Sequence, residues 1–249
     1  MWGRLRLGAF RRGIEPGELE RVRPYLESRY RLAPARPADP LQRPRHFFPG
    51  LAALPWHDPA DFGWTRLLED EADTIRAELD ALLSAEAFGP QRAYLERQGE
   101  WTTYMLWAFD QPFRDHLDRC PGTAALLESL PVSHAAGLMY FSALGPRSHI
   151  APHCGPTNTH LRCHFGIVVP PGCRIRVGEE TRPWEEGRCI VFDDSFEHEA
   201  WNEGDGHRYV LLIDFWHPEL TAAEVWAIAE VERLSRHTSQ RARRKRATR

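Results

Sequence analysis

Short segments of strand-forming residues recur every eight to twelve residues from about residue 135 to residue 215, and this rhythm constrains the fold most strongly. Gly, Pro, Asn and Asp separate the segments. Such spacing is typical of a sandwich or barrel, because each segment supplies one strand and each boundary supplies a turn. The predicted strands are residues 135–143, 149–151, 160–169, 173–177, 182–184, 189–192, 197–201 and 208–215. About eight strands fit a jelly roll.

Helical patterns flank this β-rich region. Apolar residues at three- and four-residue steps, with acidic residues between them, predict an amphipathic helix over residues 63–83. Weaker patterns predict helices over 121–130 and 222–237. Six prolines between residues 16 and 44 leave room for one short helix, near residues 17–29. We expect a proline- and arginine-rich extension (1–45), a single jelly-roll domain with flanking helices (46–237) and a basic tail (238–249).

The composition excludes several classes of protein. The 249 residues carry 32 basic and 35 acidic side chains, a formal net charge of -3, which gives no general attraction for polyanions. The longest apolar runs fall far below the roughly 18 to 20 residues that span a bilayer. No apolar signal segment opens the sequence, and five widely spaced cysteines without a CxxC pair indicate reduced thiols. We expect a cytoplasmic protein whose partners include neither nucleic acid nor a membrane.

Two histidines and an arginine stand in an order that indicates a metal site. His153 lies in a turn at a strand end, His198 follows 45 residues later, and Arg208 follows after ten more. Two imidazoles brought together by opposing strands suit ferrous iron, and a buried guanidinium binds a carboxylate by a bidentate pair. Most other histidines are interpreted as packed or surface residues, namely His46, His57, His116, His134, His207, His217 and His237.

The stretch from about residue 140 to residue 220 resembles the aspartyl/asparaginyl β-hydroxylase family of Fe(II)/2-oxoglutarate-dependent dioxygenases. Five segments carry the resemblance, in order: PHCGPTN (152–158), LRCHFG (161–166), WEEG (184–187), FDDSFEHEAW (192–201) and WHPEL (216–220). The resemblance implies a double-stranded β-helix, the cupin-like form of the jelly roll. It also implies iron held by His153 and His198, with 2-oxoglutarate and molecular oxygen as cosubstrates.

The resemblance assigns further residues to this site. Ser142, His164 and Arg208 would bind 2-oxoglutarate, and Arg162 would face the carboxylate of the substrate or cosubstrate. A packed histidine is the alternative for His164, but its place two residues after Arg162 puts both side chains on one face of a strand. Asp193 and Asp194 are interpreted as residues that fix the turn before His198.

Gly155 stands where the common facial triad has a carboxylate ligand. The resemblance implies that two histidines and water hold the iron, so an open coordination position would be filled by water. Aspartate at this position is expected to be tolerated to some degree, because ferrous iron accepts a third, oxygen ligand. An ordinary turn glycine before Pro156 is the alternative interpretation.

The substrate is expected to be small. Animal members of the family act on epidermal growth factor-like domains, and they carry basic residues near the positions of Tyr140 and His160. Tyrosine and histidine are weaker partners for a carboxylate. We therefore expect a free amino acid, a carrier-tethered aminoacyl group or a peptide natural product, hydroxylated at an unactivated carbon such as the β-carbon, with Tyr140, His160 and Arg162 as substrate-binding residues.

Two other functions remain open from the sequence. Non-haem iron halogenases also lack the carboxylate ligand, so Gly155 alone is compatible with halogenation. A cupin-like binding protein that has lost catalysis is the second alternative. The joint presence of Ser142, His153, His198 and Arg208 favours an enzyme, and the five segments favour a hydroxylase.

Overall fold

The computed structural model describes residues 2–30, 32, 37–91, 99–132 and 134–247, with side chains described up to residue 235. The helices are α1 (Trp2–Phe10), α2 (Val22–Arg29), α3 (Thr65–Asp70), α4 (Ala72–Ser84), α5 (Arg114–Leu117), α6 (Pro121–Ser129) and α7 (Ala222–Ala247). The strands are β1 (Trp56–His57), β2 (Gly89–Pro90), β3 (Trp101–Ala108), β4 (Gln111–Pro112), β5 (Leu138–Leu144), β6 (Ser148–His153), β7 (His160–Val168), β8 (Cys173–Val177), β9 (Glu180–Pro183), β10 (Cys189–Phe192), β11 (His198–Asn202) and β12 (Arg208–Trp216).

The strands form two antiparallel sheets. The larger sheet has the order β1-β10-β7-β12-β5-β3-β2, with β4 paired to β3, and the smaller sheet has the order β6-β11-β8-β9. An apolar core joins them, with Leu144, Phe192 and Val210 from the larger sheet and Ile150, Ile175 and Ala200 from the smaller one. The expected fold, a mainly β jelly roll with flanking helices, is confirmed. The eight predicted strands are all present, with ends displaced by up to three residues.

The two faces of the larger sheet differ in their surroundings. Its outer face packs against α3, α4 and α6 in a second apolar core, so that strand β12 is buried on both sides. The burial explains why β12 is almost continuously apolar instead of alternating. Its inner face looks into the space between the sheets, and there the polar residues of the candidate site lie.

Strand β3 was not predicted from the sequence. It lies in the interior of the larger sheet and pairs with β5 from Trp101 opposite Leu144 to Ala108 opposite Leu138. Its residues are aromatic and polar without a strict two-residue alternation, because both faces of the strand are covered to similar degrees.

The predicted helix over residues 63–83 is divided into two helices, α3 and α4, with Glu71 between them.

The N-terminal residues are more ordered than the prolines indicate. Besides α2 near the predicted position, α1 covers residues before the first proline, and Pro24 lies in the first turn of α2, where proline is tolerated. Both helices pack on α7 in a third apolar core that includes Leu5, Val22 and Ile228. None of the helices in the described residues is long and apolar enough to span a membrane.

Candidate active site

His153 and His198 form the centre of the candidate site. His153 ends β6, His198 begins β11, and the two residues are cross-strand partners with ring centroids 4.1 Å apart. The Nδ1 of His153 lies 2.8 Å from the carbonyl oxygen of Ala151, and that of His198 lies 2.9 Å from that of Phe196. A carbonyl oxygen only accepts, so Nδ1 carries the proton and the lone pair is on Nε2, the arrangement of a metal-ligating imidazole.

Burial keeps both imidazoles neutral. It lowers the pKa of His153, and together with the neighbouring His153 it lowers the pKa of His198 to about 3. A metal ion binds the neutral imidazole, so these ligands lose no proton on binding near pH 7. Two neutral imidazoles suit ferrous iron. In the described residues, no group of three or more His, Cys, Asp and Glu side chains is arranged to hold a metal.

Gly155 lies directly against Asp194. Its N–H donates to the backbone oxygen of Asp194 over 2.6 Å, and a Cβ atom built at position 155 would overlap the Asp194 carboxyl group. Asp194 is only 1% exposed, and its carboxylate oxygens lie within 3.4 Å of His160 and 3.2 Å of Arg162, so a side chain at position 155 would have to displace a buried and paired carboxylate. The structure therefore contradicts the expectation that aspartate is tolerated to some degree at position 155.

Arg162 lies on β7 and is neutralised by two buried carboxylates. Its Nε donates to Oδ1 of Asp214 over 2.8 Å and its Nη2 to Oδ2 over 3.2 Å, while Nη2 also lies 3.2 Å from Oδ2 of Asp194. On the other side of Asp194, Nε2 of His160 is 3.4 Å from Oδ1. A substrate carboxylate at Arg162 would have to compete with Asp194 and Asp214.

The charged groups of this network shift one another's pKa values against the effect of burial. Burial alone would raise the pKa of the Asp194 carboxyl, but Arg162 and His160 outweigh it and hold that pKa below its usual range. In the same way, burial would lower the pKa of His160, yet Asp194 and Asp214 raise it. Asp194 is therefore a permanent anion, and its role is to hold Arg162 and His160 in position beside Gly155.

Arg208 lies at the other end of the inner face and has no such partner. It is 2% exposed, and its guanidinium carbon lies 4.7 Å from the centre of the Trp184 ring. Within the described residues no carboxylate pairs with it, its Nε lacks a hydrogen-bond acceptor, and burial lowers its pKa to about 10. A buried cation without a counter-ion costs several kcal/mol, so this position is suited to an anionic ligand.

Ser142 and His164 share the inner face with Arg208. Ser142 is opposite Val210, two residues after Arg208, and His164 is opposite Leu212. Because every second residue of a strand points to the same side, these three functional side chains project into one space. The hydroxyl of Ser142 accepts a hydrogen bond from Nε1 of Trp101 over 3.0 Å, which leaves its own proton available for another acceptor.

His164 lies between the histidine pair and Arg208. Burial and then the charge of Arg208 lower its pKa well below the usual value, and His198 is also among its electrostatic neighbours. Its Nδ1 accepts from Nε1 of Trp184 over 3.3 Å, so Nε2 carries the proton. That buried N–H has no acceptor within the described residues and can donate to a ligand.

Tyr140 also lies on the inner face, opposite Leu212 on β12, and burial raises its pKa to about 12.

A cavity of about 340 Å³ opens beside Arg162 and His160, near the start of β7. The cavity is of the size of a small ligand site. Its apolar lining includes Phe109, Leu138, Trp216 and Ile228.

Sequence reasoning missed the roles of Asp194 and Asp214. The turn interpretation holds for Asp193, whose Oδ1 accepts from the N–H of Ser195 over 2.9 Å, but Asp194 pairs with Arg162 instead. Asp214 carried a usable signal, since it is the one charged residue within the apolar run 209–216. A carboxylate in such a strand requires a buried partner.

Comparison with known proteins gives a consistent result. The model of a protein family described as aspartyl/asparaginyl beta-hydroxylase matches residues 69–218. The human aspartyl/asparaginyl beta-hydroxylase is 39% identical over 188 residues, which cover 72% of this chain and 25% of that protein. The chain thus corresponds to about a quarter of the length of this human relative.

A bacterial relative and a solved structure extend the comparison. The ornithine lipid ester-linked acyl 2-hydroxylase of Rhizobium tropici is 34% identical over 190 residues, covering 72% of this chain and 66% of that protein. A crystal structure of an oxidoreductase of the 2OG-Fe(II) oxygenase family from Burkholderia pseudomallei aligns with 59% of this chain and 80% of that chain, with a TM-score of 0.43 and 16% identity. The family match covers more than half of the sequence, and the chain belongs to the aspartyl/asparaginyl β-hydroxylase family.

Proposed function

We propose that this protein is an Fe(II)- and 2-oxoglutarate-dependent dioxygenase that hydroxylates an unactivated carbon of a small substrate. The observation that carries the proposal is the buried guanidinium of Arg208. It lacks a carboxylate partner among the described residues, and it lies on the same face of the sheet as His164, whose electrostatic neighbours include both Arg208 and His198. A site of this kind fits an anionic cosubstrate beside a metal held by two imidazoles.

His153 and His198 would hold the iron through their Nε2 atoms. When bound, Fe(II) would activate molecular oxygen while 2-oxoglutarate is oxidised and decarboxylated. The chain itself supplies the orientation of the ligands, because the carbonyl oxygens of Ala151 and Phe196 fix both rings. Such fixing hydrogen bonds raise the basicity of an imidazole and its affinity for a metal.

Arg208, Ser142 and His164 would bind 2-oxoglutarate. Arg208 would pair with one carboxylate by two parallel hydrogen bonds, and Ser142 would add a third donor. The Nε2–H of His164 would donate to an oxygen between Arg208 and the histidine pair. Trp184 closes the space against water, since its ring covers the guanidinium and its Nε1 holds His164.

The substrate would be an amino acid, a carrier-tethered aminoacyl group or a small peptide, and the β-carbon is the proposed position. Tyr140, His160 and Arg162 would line its path. The pairing of Arg162 with Asp194 and Asp214 supports a substrate that needs no strong carboxylate contact.

A second substrate class is favoured by the apolar lining of the 340 Å³ cavity. The relative from Rhizobium tropici is named for hydroxylation of an ester-linked acyl group of a lipid that contains an amino acid. An acyl chain would pack against Leu138, Trp216 and Ile228 without requiring a cation from the protein. Substrates of both classes contain an amino acid and would react at a carbon atom that carries no charge.

Halogenation fits the geometry less well. A halogenase needs room for chloride beside the small residue at the third ligand position. Here the space beside Gly155 is filled by the carboxylate of Asp194, which would repel a second anion. The alternative of a binding protein that has lost catalysis is disfavoured, because both imidazoles of the site are neutral and are oriented by backbone carbonyl groups.

Aerobic incubation with Fe(II) and 2-oxoglutarate tests the proposal. The panel should contain free amino acids, aminoacyl thioesters, short peptides and an ornithine lipid, and mass spectrometry should detect the gain of one oxygen atom. His198→Ala protein is the matched control. A chlorinated product, or no consumption of 2-oxoglutarate with any substrate, would contradict the proposal.

A further inference from the structure

Among the residues that the structure describes, helix α1 is held to the protein by one of its faces. Leu5 and Ala9, one helical turn apart, are buried in the core formed with α7, and Gly8 packs against the ring of Trp226. The guanidinium of Arg12, just after the helix, lies over the same ring at 5.4 Å. The helix is therefore fixed in orientation, and its opposite face is presented to solvent.

That outer face carries two large apolar side chains. Leu7 is 55% exposed and Phe10 is 82% exposed. Residues three apart on a helix are neighbours, so the two side chains form a single stripe. A lone exposed leucine is ordinary, but an exposed Phe and Leu side by side on a fixed helix indicate a surface that contacts something apolar.

Arginines lie on both sides of this stripe. At 100° per residue, Arg6 lies on one side of Leu7 and Phe10, and Arg4 and Arg11 lie on the other. All three are exposed. Residues 2–14 contain four arginines and no acidic residue, whereas the whole chain has a net charge of -3. Residues 2–14 are thus positively charged around the exposed apolar stripe, as the basic tail at residues 238–249 also is.

A groove runs beside the same helix. It has a volume of about 660 Å³, and Trp2, Leu7, Phe10, Ile14 and Leu19 provide its apolar lining, together with the charged residues Arg6 and Glu15. The groove extends the apolar surface of Leu7 and Phe10 along one side of the helix.

We propose that the outer face of α1 docks this protein on an anionic membrane surface. Leu7 and Phe10 would insert at the level of the acyl chains, and Arg4, Arg6 and Arg11 would contact the phosphate groups. A helix face with aromatic and aliphatic side chains between arginines can bind in this way, because it combines apolar burial with attraction to anionic lipid. The expectation of no membrane partner rested on the net charge of the whole chain and on the lack of an apolar run long enough to span a bilayer, neither of which describes the surface of α1.

This inference does not depend on the proposed catalytic function. The test is sedimentation of the full-length protein with large unilamellar vesicles, either phosphatidylcholine alone or phosphatidylcholine with one third phosphatidylglycerol. We expect partitioning onto the anionic vesicles, with weaker binding at high salt. The double variant Leu7→Ser/Phe10→Ser should bind at least about ten-fold more weakly, because two apolar side chains no longer insert.

Matched control variants distinguish docking by α1 from nonspecific adsorption to the vesicles. Leu54 is 52% exposed and lies outside α1, so Leu54→Ser should leave binding unchanged. The triple variant Arg4→Gln/Arg6→Gln/Arg11→Gln should lose on the order of 100-fold, about five-fold for each charge. Neutralising three exposed arginines elsewhere, Arg45, Arg66 and Arg114, should have little effect.

Three results would overturn the proposal. They are an absence of binding to anionic vesicles, equal binding to both kinds of vesicle, and equal loss in the α1 variants and their controls. Analytical ultracentrifugation identifies the competing occupant: a dimer abolished by Phe10→Ser, without vesicle binding, would assign the face to a second copy of the chain. Circular dichroism of each variant establishes that it is folded.

Discussion

His153 and His198 derive their properties from two backbone carbonyl groups and from burial. The carbonyls set the tautomer, and burial lowers the pKa of both rings, so each presents a lone pair from Nε2 near neutral pH. In the proposed site, the loss of either ring would remove a metal ligand, and among the described residues no third His, Cys, Asp or Glu side chain is grouped with this pair.

We predict that His153→Ala and His198→Ala each lower 2-oxoglutarate turnover by more than about 100-fold, since even the loss of an orienting partner costs 10- to 100-fold. His149→Ala is the matched control, because His149 lies on the same strand and pairs with Glu199 over 2.9 Å. Turnover is measured by the release of succinate. Activity of either ligand variant close to that of His149→Ala would refute the assignment.

Glycine is required at position 155 because the Asp194 carboxyl group occupies the space that a side chain would need. We predict that Gly155→Ala lowers the free energy of unfolding by about 1 to 3 kcal/mol, because the added methyl group displaces a buried carboxylate that lies against Arg162 and His160. Gly155→Asp should be worse, since it adds a second anion. Gly63→Ala, where the methyl group meets no atom within 4 Å, is the control. Urea denaturation that shows equal stability for both alanine variants would contradict this account.

At this scale, sequence could place His153, His198 and Arg208 but could not show what Asp194 does. The first three are identified by spacing and residue type along the chain. Asp194 pairs with Arg162, 32 positions away, and that pairing exists only once β7 and the turn after β10 are in place. The unsuitability of aspartate at position 155 has the same origin.

Among the elements, β12 connects the two ends of the site. It begins with Arg208, and Asp214 near its other end pairs with Arg162 on β7. We predict that Asp214→Asn lowers the free energy of unfolding by about 3 kcal/mol, because it removes the principal partner of a buried cation. Asp205→Asn, in an exposed pair with Arg147, should change stability by less than about 0.5 kcal/mol. Similar denaturation midpoints for the two variants would show that the buried pair has no structural role.

The elements that sequence predicted are those whose pattern reflects one buried face or a continuous apolar core. In β8, Cys173, Ile175 and Val177 alternate with more exposed residues, and the predicted bounds are those observed. Strand β3 lacks such a pattern because neighbours cover both of its faces. Helix α1 escaped prediction because its short sequence is apolar on two opposite sides and shows no single apolar stripe.

In the whole molecule, two surfaces are suited to different ligands. The site between the sheets combines the neutral imidazoles of His153 and His198 with the guanidinium of Arg208, for which the described residues supply no carboxylate partner. The outer face of α1 is apolar and basic. If substrates are amino-acid lipids, membrane docking would bring the enzyme to them; if they are soluble, docking and catalysis would be separate properties.

The central claim is that Arg208 is the anchor for 2-oxoglutarate. The measurement is anaerobic calorimetric titration of 2-oxoglutarate into the Fe(II)-loaded wild-type protein, Arg208→Ala and Arg208→Lys. A charge-assisted bidentate pair contributes about 1.5 to 3 kcal/mol or more, so Arg208→Ala should weaken binding from about ten-fold to more than 100-fold. Arg208→Lys should recover only part of the loss, because an ammonium group cannot supply two parallel donors. Equal affinity of the wild-type and Arg208→Ala proteins would contradict the account.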